Sequence, residues 1–277
     1  MTRKRIRTIG VYTALIIGLF IIAIPFYLSL VSSVKTQSEL SRNFFGLPVK
    51  ATLENYFTIM QKGDFLPALS NSFVITVVSL AGFAILLPMA SYPISRRMGT
   101  SRIYMMLYYY MLASIFIPFQ VKMIPIVKLM NTLNIANRWG LILLYLAGST
   151  GEGMFLMTGY LSTIPTDMEE AAYIDGASTW QVFTQIIAPV MRPITATVLI
   201  KNCLWVWNDF MMPLMMLNKT SSYWTLPLFQ YNFKAEYSFN YTMAFTAYLV
   251  SMIPIIVVYA FLQKYIIRGL TAGAVKS

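Results

Sequence analysis

Long apolar runs separated by short polar stretches are the dominant pattern along this chain. Because a bilayer core about 30 Å thick requires roughly 20 apolar residues per helical crossing, runs of this length predict membrane-spanning helices. Six runs qualify, at approximately 9–32, 69–92, 103–126, 138–160, 189–212 and 243–266. The third is the least regular, since Pro118, Lys122 and Pro125 interrupt its outer end. The pattern predicts an all-α polytopic transmembrane helical bundle, a single domain over residues 1–277.

Composition supports a membrane protein and removes several kinds of chemistry. Only 11% of the residues are charged, against about 25% in soluble domains. There is no His, and the single cysteine, Cys203, lies within an apolar run, which excludes an intramolecular disulfide, His-based acid–base catalysis and a Cys/His metal site. The net charge of +11 comes from basic residues beside apolar runs, without aromatic residues interleaved, so it indicates topology and no nucleic-acid binding.

Orientation follows from the bias of Lys and Arg toward cytoplasmic loops. Basic residues precede the first run, follow the second and follow the sixth (Arg3, Lys4, Arg5 and Arg7; Arg96, Arg97 and Arg102; Lys264, Arg268 and Lys276). Both termini are therefore predicted to be cytoplasmic. The first run is too long for the core of a signal peptide and is predicted to be a retained span. Lys122, Lys128 and Arg138 would lie outside, against the bias, but the N-terminal segment usually dominates such conflicts.

The stretch 161–188, between the fourth and fifth runs, breaks this rule. It would be cytoplasmic, yet it holds no Lys or Arg and four acidic residues, Asp167, Glu169, Glu170 and Asp175. Thr166 and Glu169 have capping-box spacing, which predicts a helix over about 167–174. Gly176 can take the positive φ that ends it. Ser178 and Gln181 repeat the spacing and predict a second helix through about Ile187.

We call residues 165–188 the elbow. One interpretation is a compact helical knob for a cytoplasmic protein partner, approached closely at the small residues Ala171, Ala172 and Ala177. The other is an amphipathic pair on the lipid headgroups, using Ile174, Val182, Phe183 and Ile186. A surface-lying helix normally has a basic polar face, whereas this one is acidic, which favours a protein partner.

The elbow resembles the EAA signature of permease subunits of bacterial ATP-binding-cassette importers, within them the carbohydrate permeases related to the smaller permease subunit of the maltose transporter. The matching residues are Glu170-Ala171-Ala172, Asp175-Gly176-Ala177, Phe183, Ile186 and Pro189. Residues 262–276 are similar to the terminal tail of that group, and Trp207-Asn208-Asp209-Phe210, Pro213-Leu214 and Thr225-Leu226-Pro227 match further positions. Ala188 departs from the pattern, since Leu is usual there.

The resemblance implies that the elbow is a coupling helix docked in a cleft of a separate ATPase. Its contact residues would be Glu170, Ala171, Ala172, Asp175, Gly176, Ala177, Phe183 and Pro189. The tail 267–277 would reach the ATPase dimer through Gly269, Thr271, Gly273 and Lys276. The implied partners are a second homologous permease, an ATP-binding-cassette ATPase dimer, an extracytoplasmic solute-binding protein docking near 33–68 and 213–241, a carbohydrate substrate and the lipid of the bacterial cytoplasmic membrane.

The chain itself is not expected to be an enzyme or to bind a cofactor. No G-x-x-x-x-G-K-[ST] sequence occurs, so there is no P-loop to hold ATP phosphates. ATP and Mg²⁺ are expected on the partner ATPase, and no metal site is predicted in this chain.

Polar residues within spans are candidates for the translocation cavity because burying them in lipid is costly. They are Lys201, Asn202, Trp205, Asn208 and Asp209 in the fifth run and Glu152 in the fourth. Tyr108, in the tyrosine run of the third, is a further candidate because aromatic rings can stack on sugar faces, although such rings also form the ordinary interfacial belt. Positions 201, 205 and 208 share one helical face, and Lys201 and Asp209 are about 12 Å apart along the helix, too far to pair simply. The alternative is that these residues bond to neighbouring helices. Small residues at four-residue spacing do not stand out in any run.

Two other classes of membrane protein fit the sequence less well. A stand-alone ion-coupled secondary transporter or channel would favour intramembrane carboxylates or broken helices in paired halves, and the halves here are not symmetric. A membrane enzyme would require a cluster of catalytic groups that the sequence lacks. The sequence thus predicts a permease forming half of the pathway of an ATP-driven carbohydrate importer.

Overall fold

The structure, a computed structural model, describes the backbone of residues 2–236 and 240–274 and the side chains of 8–231, 240–257 and 260. Throughout these residues the regular elements are helices, which confirms the all-α class. The chain divides into two compact units. The first comprises Met1–Leu66 and Leu226–Pro254, and the second Pro67–Thr225 and Ile255–Ser277.

The α-helices are numbered in chain order. They are α1 (Thr2–Ser33), α2 (Gln37–Arg42), α3 (Glu54–Gln61), α4 (Phe65–Arg97), α5 (Arg102–Phe116), α6 (Phe119–Thr132), α7 (Arg138–Leu161), α8 (Asp167–Ile174), α9 (Thr179–Gln181), α10 (Ala188–Val190), α11 (Arg192–Asn208), α12 (Met211–Leu217), α13 (Leu226–Glu236) and α14 (Tyr241–Ala274). A π-helical turn, Val182–Ile187, joins α9 to α10, and a 3₁₀ turn lies at Ser221–Tyr223.

The helices give a polytopic membrane protein. Among the described residues, three helical stretches are long and apolar enough to cross a membrane: Thr8–Ser33, Phe65–Arg97 and Arg138–Leu161. Two bent pairs qualify jointly: Arg102–Phe116 with Phe119–Thr132, and Thr179–Val190 with Arg192–Asn208. The described apolar part of α14 is the shorter segment Tyr241–Val257.

The third predicted span, over 103–126, is interrupted in the structure near the prolines that made it irregular in the sequence. The helix stops at Phe116, resumes at Phe119 and turns by 105° between the two parts. Pro118 explains the break, because proline has no N–H for the helical ladder and disfavours helical geometry in the residue before it. Ile117 accordingly has extended φ and ψ of −83° and 113°. The second part continues beyond the predicted end, to Thr132.

In the first unit, Lys35 holds the loop that follows α1. Its side chain is fully buried, and Nζ donates to the carbonyl oxygens of Asn43 at 2.7 Å and Gly46 at 2.6 Å. Asn55 donates from Nδ2 to the carbonyl oxygens of Ser33 and Lys35, each at 2.8 Å. These bonds satisfy buried polar groups and give the loop a defined fold.

In the second unit, α7 packs against α5 and α11. A Cβ atom added at Gly151 would lie 2.7 Å from the carbonyl oxygen of Met111, and one added at Gly153 would lie 2.7 Å from Cδ1 of Leu87. Glycines therefore allow α7 to approach α5 and α4 closely. Small residues at four-residue spacing do not stand out in the sequence, yet glycines make these close contacts in the structure.

Candidate functional site

The first helix of the elbow ends as the sequence predicts. α8 runs from Asp167 to Ile174, and Gly176 has a φ of +84°. The amide of Gly176 donates to the carbonyl of Tyr173 at 3.1 Å, and that of Ala177 donates to the carbonyl of Ala172 at 2.9 Å. This pair of bonds is the Schellman arrangement, in which the left-handed position is normally glycine.

The second helix of the elbow begins with the predicted capping box. The amide of Gln181 donates to Oγ of Ser178 at 3.3 Å, and the amide of Ser178 donates to Oε1 of Gln181 at 2.8 Å. The helix continues through the π-helical turn to Val190, slightly beyond the predicted end, and α11 then departs at 70°. Pro193 lies in the first turn of α11, where its missing N–H costs no hydrogen bond.

The capping box predicted at Thr166 and Glu169 is wrong. The Thr166 side chain caps no backbone amide, and its hydroxyl donates instead to Oε1 of Glu170 at 2.8 Å. Glu169 does not reach back to the helix start because its carboxylate points into the protein, where it bonds to Arg96 and Tyr92. A charge-assisted contact with Arg is stronger than a bond to a neutral amide.

Arg96 and Glu169 form the centre of a buried polar joint. Nε and Nη2 of Arg96 lie 2.8 Å and 2.7 Å from Oε1 of Glu169, while the hydroxyl of Tyr92 donates to Oε2 at 2.7 Å. Arg96 also donates from Nη1 to the carbonyl of Leu161 at 3.0 Å and from Nη2 to that of Ile164 at 3.2 Å. The sequence marked Arg96 only as a topology signal, since its partner carboxylate is 73 positions away.

The exposed face of the elbow is acidic and apolar. Glu170, Ala171, Asp175 and Gly176 are exposed, and Ala172 and Ala177 are half-buried. Ile174, between them, has 87% of its surface exposed. Such a face is suited to a partner that offers basic and apolar groups.

Two of the predicted elbow contacts lie away from this face. Phe183 is buried, with its ring centroid 5.7 Å from that of Tyr92 and 5.8 Å from that of Trp180. Pro189 is half-buried in α10. In this structure Phe183 therefore packs the elbow against α4.

A second group of candidate residues lies where α7 and α11 run side by side. The hydroxyl of Tyr145 donates to Oδ2 of Asp209 at 2.8 Å, and the rings of Tyr145 and Trp205 meet edge to face with centroids 5.3 Å apart. Further along, Lys201 forms an ion pair with Glu152. We call these residues, from two oppositely directed helices, the polar ladder.

Of the predicted cavity residues, the polar ladder contains Lys201, Glu152, Trp205 and Asp209. Asn202, Asn208 and Tyr108 do not belong to it. Lys201, Glu152, Trp205 and Asn208 are exposed, and the side chains of Lys201 and Glu152 are 50% and 47% accessible. Asn202 is buried and donates to the carbonyl of Val198 at 2.9 Å within its own helix. Tyr108 is half-buried, with its ring 5.7 Å from that of Tyr109.

The predicted tail contacts fall largely beyond what is described. Gly269, Thr271 and Gly273 belong to the backbone of α14, and their side-chain surroundings lie outside the described residues. Lys276 lies outside the described residues altogether.

Comparison with known proteins identifies the family to which the chain belongs. Residues 56–272 match the family described as binding-protein-dependent transport system inner membrane component. The chain belongs to this family. It is a non-catalytic, multi-pass permease subunit of the cytoplasmic membrane, and ATP hydrolysis and its cofactors belong to a separate subunit. Membership sets aside the stand-alone secondary transporter and the membrane enzyme.

Individual relatives cover nearly the whole chain. The multiple sugar-binding transport system permease protein MsmG of Streptococcus mutans serotype c is 43% identical over 266 residues, 96% of each protein. The melibiose/raffinose/stachyose import permease protein MelC of Bacillus subtilis is 31% identical over 260 residues, 91% of each. A chain in the crystal structure of a bacterial ABC transporter involved in the import of the acidic polysaccharide alginate has a TM-score of 0.84 at 22% identity, covering 96% of this chain and 98% of that one, which shows the fold.

Proposed function

We propose that this permease forms half of the translocation pathway of an ATP-driven importer of sugars or oligosaccharides, and that the elbow is its coupling contact with the ATPase. The observation that carries the coupling role is the elbow itself. One side of α8 is anchored inside the protein by Glu169, whereas the opposite side presents Glu170, Asp175 and the 87% exposed Ile174. The carbohydrate cargo is supported by the relatives, whose names specify multiple sugars and melibiose, raffinose and stachyose.

The proposal includes six spans with cytoplasmic termini. In this proposal the three long helical stretches and the two bent pairs are five crossings, and α14 is the sixth; its described apolar segment is the shorter Tyr241–Val257. Arg96 and Arg97 in the last turn of α4 favour a cytoplasmic position for that end of α4.

The partners follow from the same proposal. A second homologous permease would complete the pathway, an ATPase dimer would receive the elbow and the tail 267–277, and a solute-binding protein would deliver cargo on the outer side. Within the pathway, the polar ladder would form part of the wall. Its Lys201 ammonium can donate to sugar hydroxyls and its Glu152 carboxylate can accept from them, while the exposed Trp205 ring offers an apolar face.

Purification in mild detergent from the native membrane, followed by mass spectrometry, tests the assembly. We expect an ATP-binding-cassette ATPase and a second multi-pass permease to be retained, and a solute-binding protein to be recovered when sugar is present. A matched preparation carrying Glu170→Ala should lose much of the ATPase and keep the second permease. Recovery of this chain alone, from membranes that contain all the subunits, would contradict the proposal.

Reconstitution tests transport directly. Proteoliposomes with the complete complex should take up an oligosaccharide only when ATP and the binding protein are both supplied. Vesicles containing this chain alone, with a proton or sodium gradient and no ATP, serve as the control. Uptake driven by the gradient would support the secondary-transporter alternative instead.

A further inference from the structure

We infer that Arg96 is a positioning residue that fastens the elbow to α4 and α7 through Glu169, so that movement of the elbow is passed to both helices. The inference rests on the proposed function, because it assigns a mechanical role within the same coupling contact. Its basis is the buried joint of Arg96, Glu169 and Tyr92, together with two backbone carbonyls.

The two adjacent glutamates of the elbow have different surroundings. Consecutive residues of an α-helix point about 100° apart, so Glu169 and Glu170 leave α8 in different directions. Glu169 is only 4% exposed, and each of its carboxylate oxygens is bonded inside the unit. Glu170 is exposed, and its carboxylate accepts a hydrogen bond from the hydroxyl of Thr166. Glu169 therefore faces the interior of the permease, and Glu170 faces the cytoplasmic surface.

The guanidinium of Arg96 joins three separate elements. It leaves α4 near its end, bonds the carboxylate of Glu169 on α8, and donates to the carbonyl of Leu161, the last residue of α7, and to that of Ile164 in the segment between α7 and α8. The last carbonyls of a helix have no partner within it and require one from elsewhere. The planar guanidinium directs its five N–H donors in a fixed fork toward all three acceptors, whereas the three donors of Lys lie on one compact ammonium and do not reproduce that fork.

The joint also connects the elbow with the polar ladder. α7 runs from the carbonyl of Leu161 back through Glu152 and Tyr145, which contact Lys201 and Asp209. Packed helices transmit displacement because protein interiors have low compressibility. A buried pair that loses one partner leaves an uncompensated charge, so a variant at this joint should loosen the connection between the elbow and α7.

Transport stoichiometry in reconstituted complexes tests the inference. We expect Glu169→Gln and Arg96→Lys to retain the ATPase and its ATP hydrolysis, but to lower the sugar moved per ATP, on the order of tenfold. Glu170→Gln should instead release the ATPase. Arg97→Lys is the matched control, because Arg97 is adjacent and contacts the ring of Tyr104, with its guanidinium carbon 5.6 Å from the ring centroid. It should keep the wild-type ratio.

Two results would overturn the inference. One is a wild-type ratio of sugar to ATP in both Glu169→Gln and Arg96→Lys. The other is release of the ATPase by Glu169→Gln to the same extent as by Glu170→Gln, since both carboxylates would then serve the partner. If Glu169→Gln fails to accumulate, Tyr92→Phe is the alternative variant, because it removes only the hydrogen bond from Tyr92 to Glu169 and should lower the ratio of sugar to ATP less than Arg96→Lys does. A wild-type ratio in both Tyr92→Phe and Arg96→Lys would then overturn the inference.

A label on the elbow separates failure of this inference from failure of the proposed function. A spin label at Ile174→Cys in a Cys203→Ser background reports elbow mobility without any ATPase. Arg96→Lys should raise that mobility, and Arg97→Lys should not. Equal mobility of the label in the parent chain, in Arg96→Lys and in Arg97→Lys would overturn the inference. If the wild-type chain retains no ATPase, the proposed function fails, while the mobility result still decides whether Arg96 fastens the elbow.

Discussion

Lys201 and Glu152 expose about half of each side chain although both belong to apolar helices. Charged groups at such positions are costly in lipid and usually face a partner or a water-filled space. Here the two side chains form an ion pair with each other, and the rest of their surface is exposed, as is the ring of Trp205. This combination of donor, acceptor and aromatic face suits a neutral, hydroxyl-rich cargo, and it also fits a purely structural ion pair.

A double-mutant cycle distinguishes these two roles. We expect Lys201→Met and Glu152→Gln each to raise the KM for sugar uptake about tenfold, equivalent to roughly 1.4 kcal/mol of lost binding. If the residues contact cargo, the double variant should be no better than either single one. If they serve only each other, removing both charges should restore uptake, because neither is then left unpaired. An unchanged KM in Lys201→Met would remove this residue from the cavity wall.

At the scale of an element, the elbow depends on the reversal at Gly176. Its φ of +84° belongs to the left-handed region, and no atom within 4 Å would obstruct an added Cβ. Substitution there is therefore limited by backbone strain, about 1–3 kcal/mol for an unsuited residue. Asn tolerates this region far better than a β-branched side chain does.

Gly176→Val and Gly176→Asn form a matched pair for testing the elbow. Both should insert in the membrane, since the change lies outside the spans. The valine variant should uncouple ATP hydrolysis from uptake, whereas the asparagine variant should retain most of it. Membrane abundance, ATP hydrolysis and sugar uptake are measured together in the reconstituted complex. Normal uptake by Gly176→Val would remove the elbow from the coupling role.

Elements with local signals were predictable from the sequence, and those governed by distant contacts were not. The end of α8 at Asp175-Gly176 and the capping box at Ser178 depend on residues within one turn, and both were predicted correctly. Thr166 and Glu169 have the same local pattern, but no capping box forms because the Glu169 carboxylate bonds to Arg96 instead. The bend of 105° near Pro118 likewise needs more than the proline, because its angle depends on how both helices pack.

The candidate site shows the same division. Helical spacing places 201, 205 and 208 on one face, and all three are exposed in the structure, while the assignment of this face to a cavity wall stays a prediction. Lys201 pairs with Glu152, and Asp209 accepts from Tyr145. The partners of those residues lie on α7, and nothing in the sequence aligns the two helices. Gly151 and Gly153 follow the small residues Ala147 and Ser149 at four-residue spacing, but the sequence alone does not show which of these residues contacts a neighbouring helix.

At the scale of the whole molecule, the joint at Arg96 constrains the path of the chain through the membrane. Arg96 and Glu169 are bonded, so the end of α4 and the elbow lie on the same side. The chain between them must cross an even number of times. α7 is long and apolar enough for one crossing. In the proposed six-span path, the bent pair α5 and α6 would be the other. This parity favours a broken span over a re-entrant loop, despite the basic residues Lys122 and Lys128.

Thiol labelling tests this path with a membrane-impermeant reagent. The only cysteine, Cys203, is buried, so a Cys203→Ser chain is a suitable background. Ile174→Cys should react only from the cytoplasmic side, and Leu133→Cys, just after α6, only from the outside. If α5 and α6 formed a re-entrant loop, Leu133→Cys would react from the cytoplasm. The single crossing by α7 would then place Ile174→Cys outside, where no ATPase could reach the elbow, and both the six-span path and the coupling role would fail together.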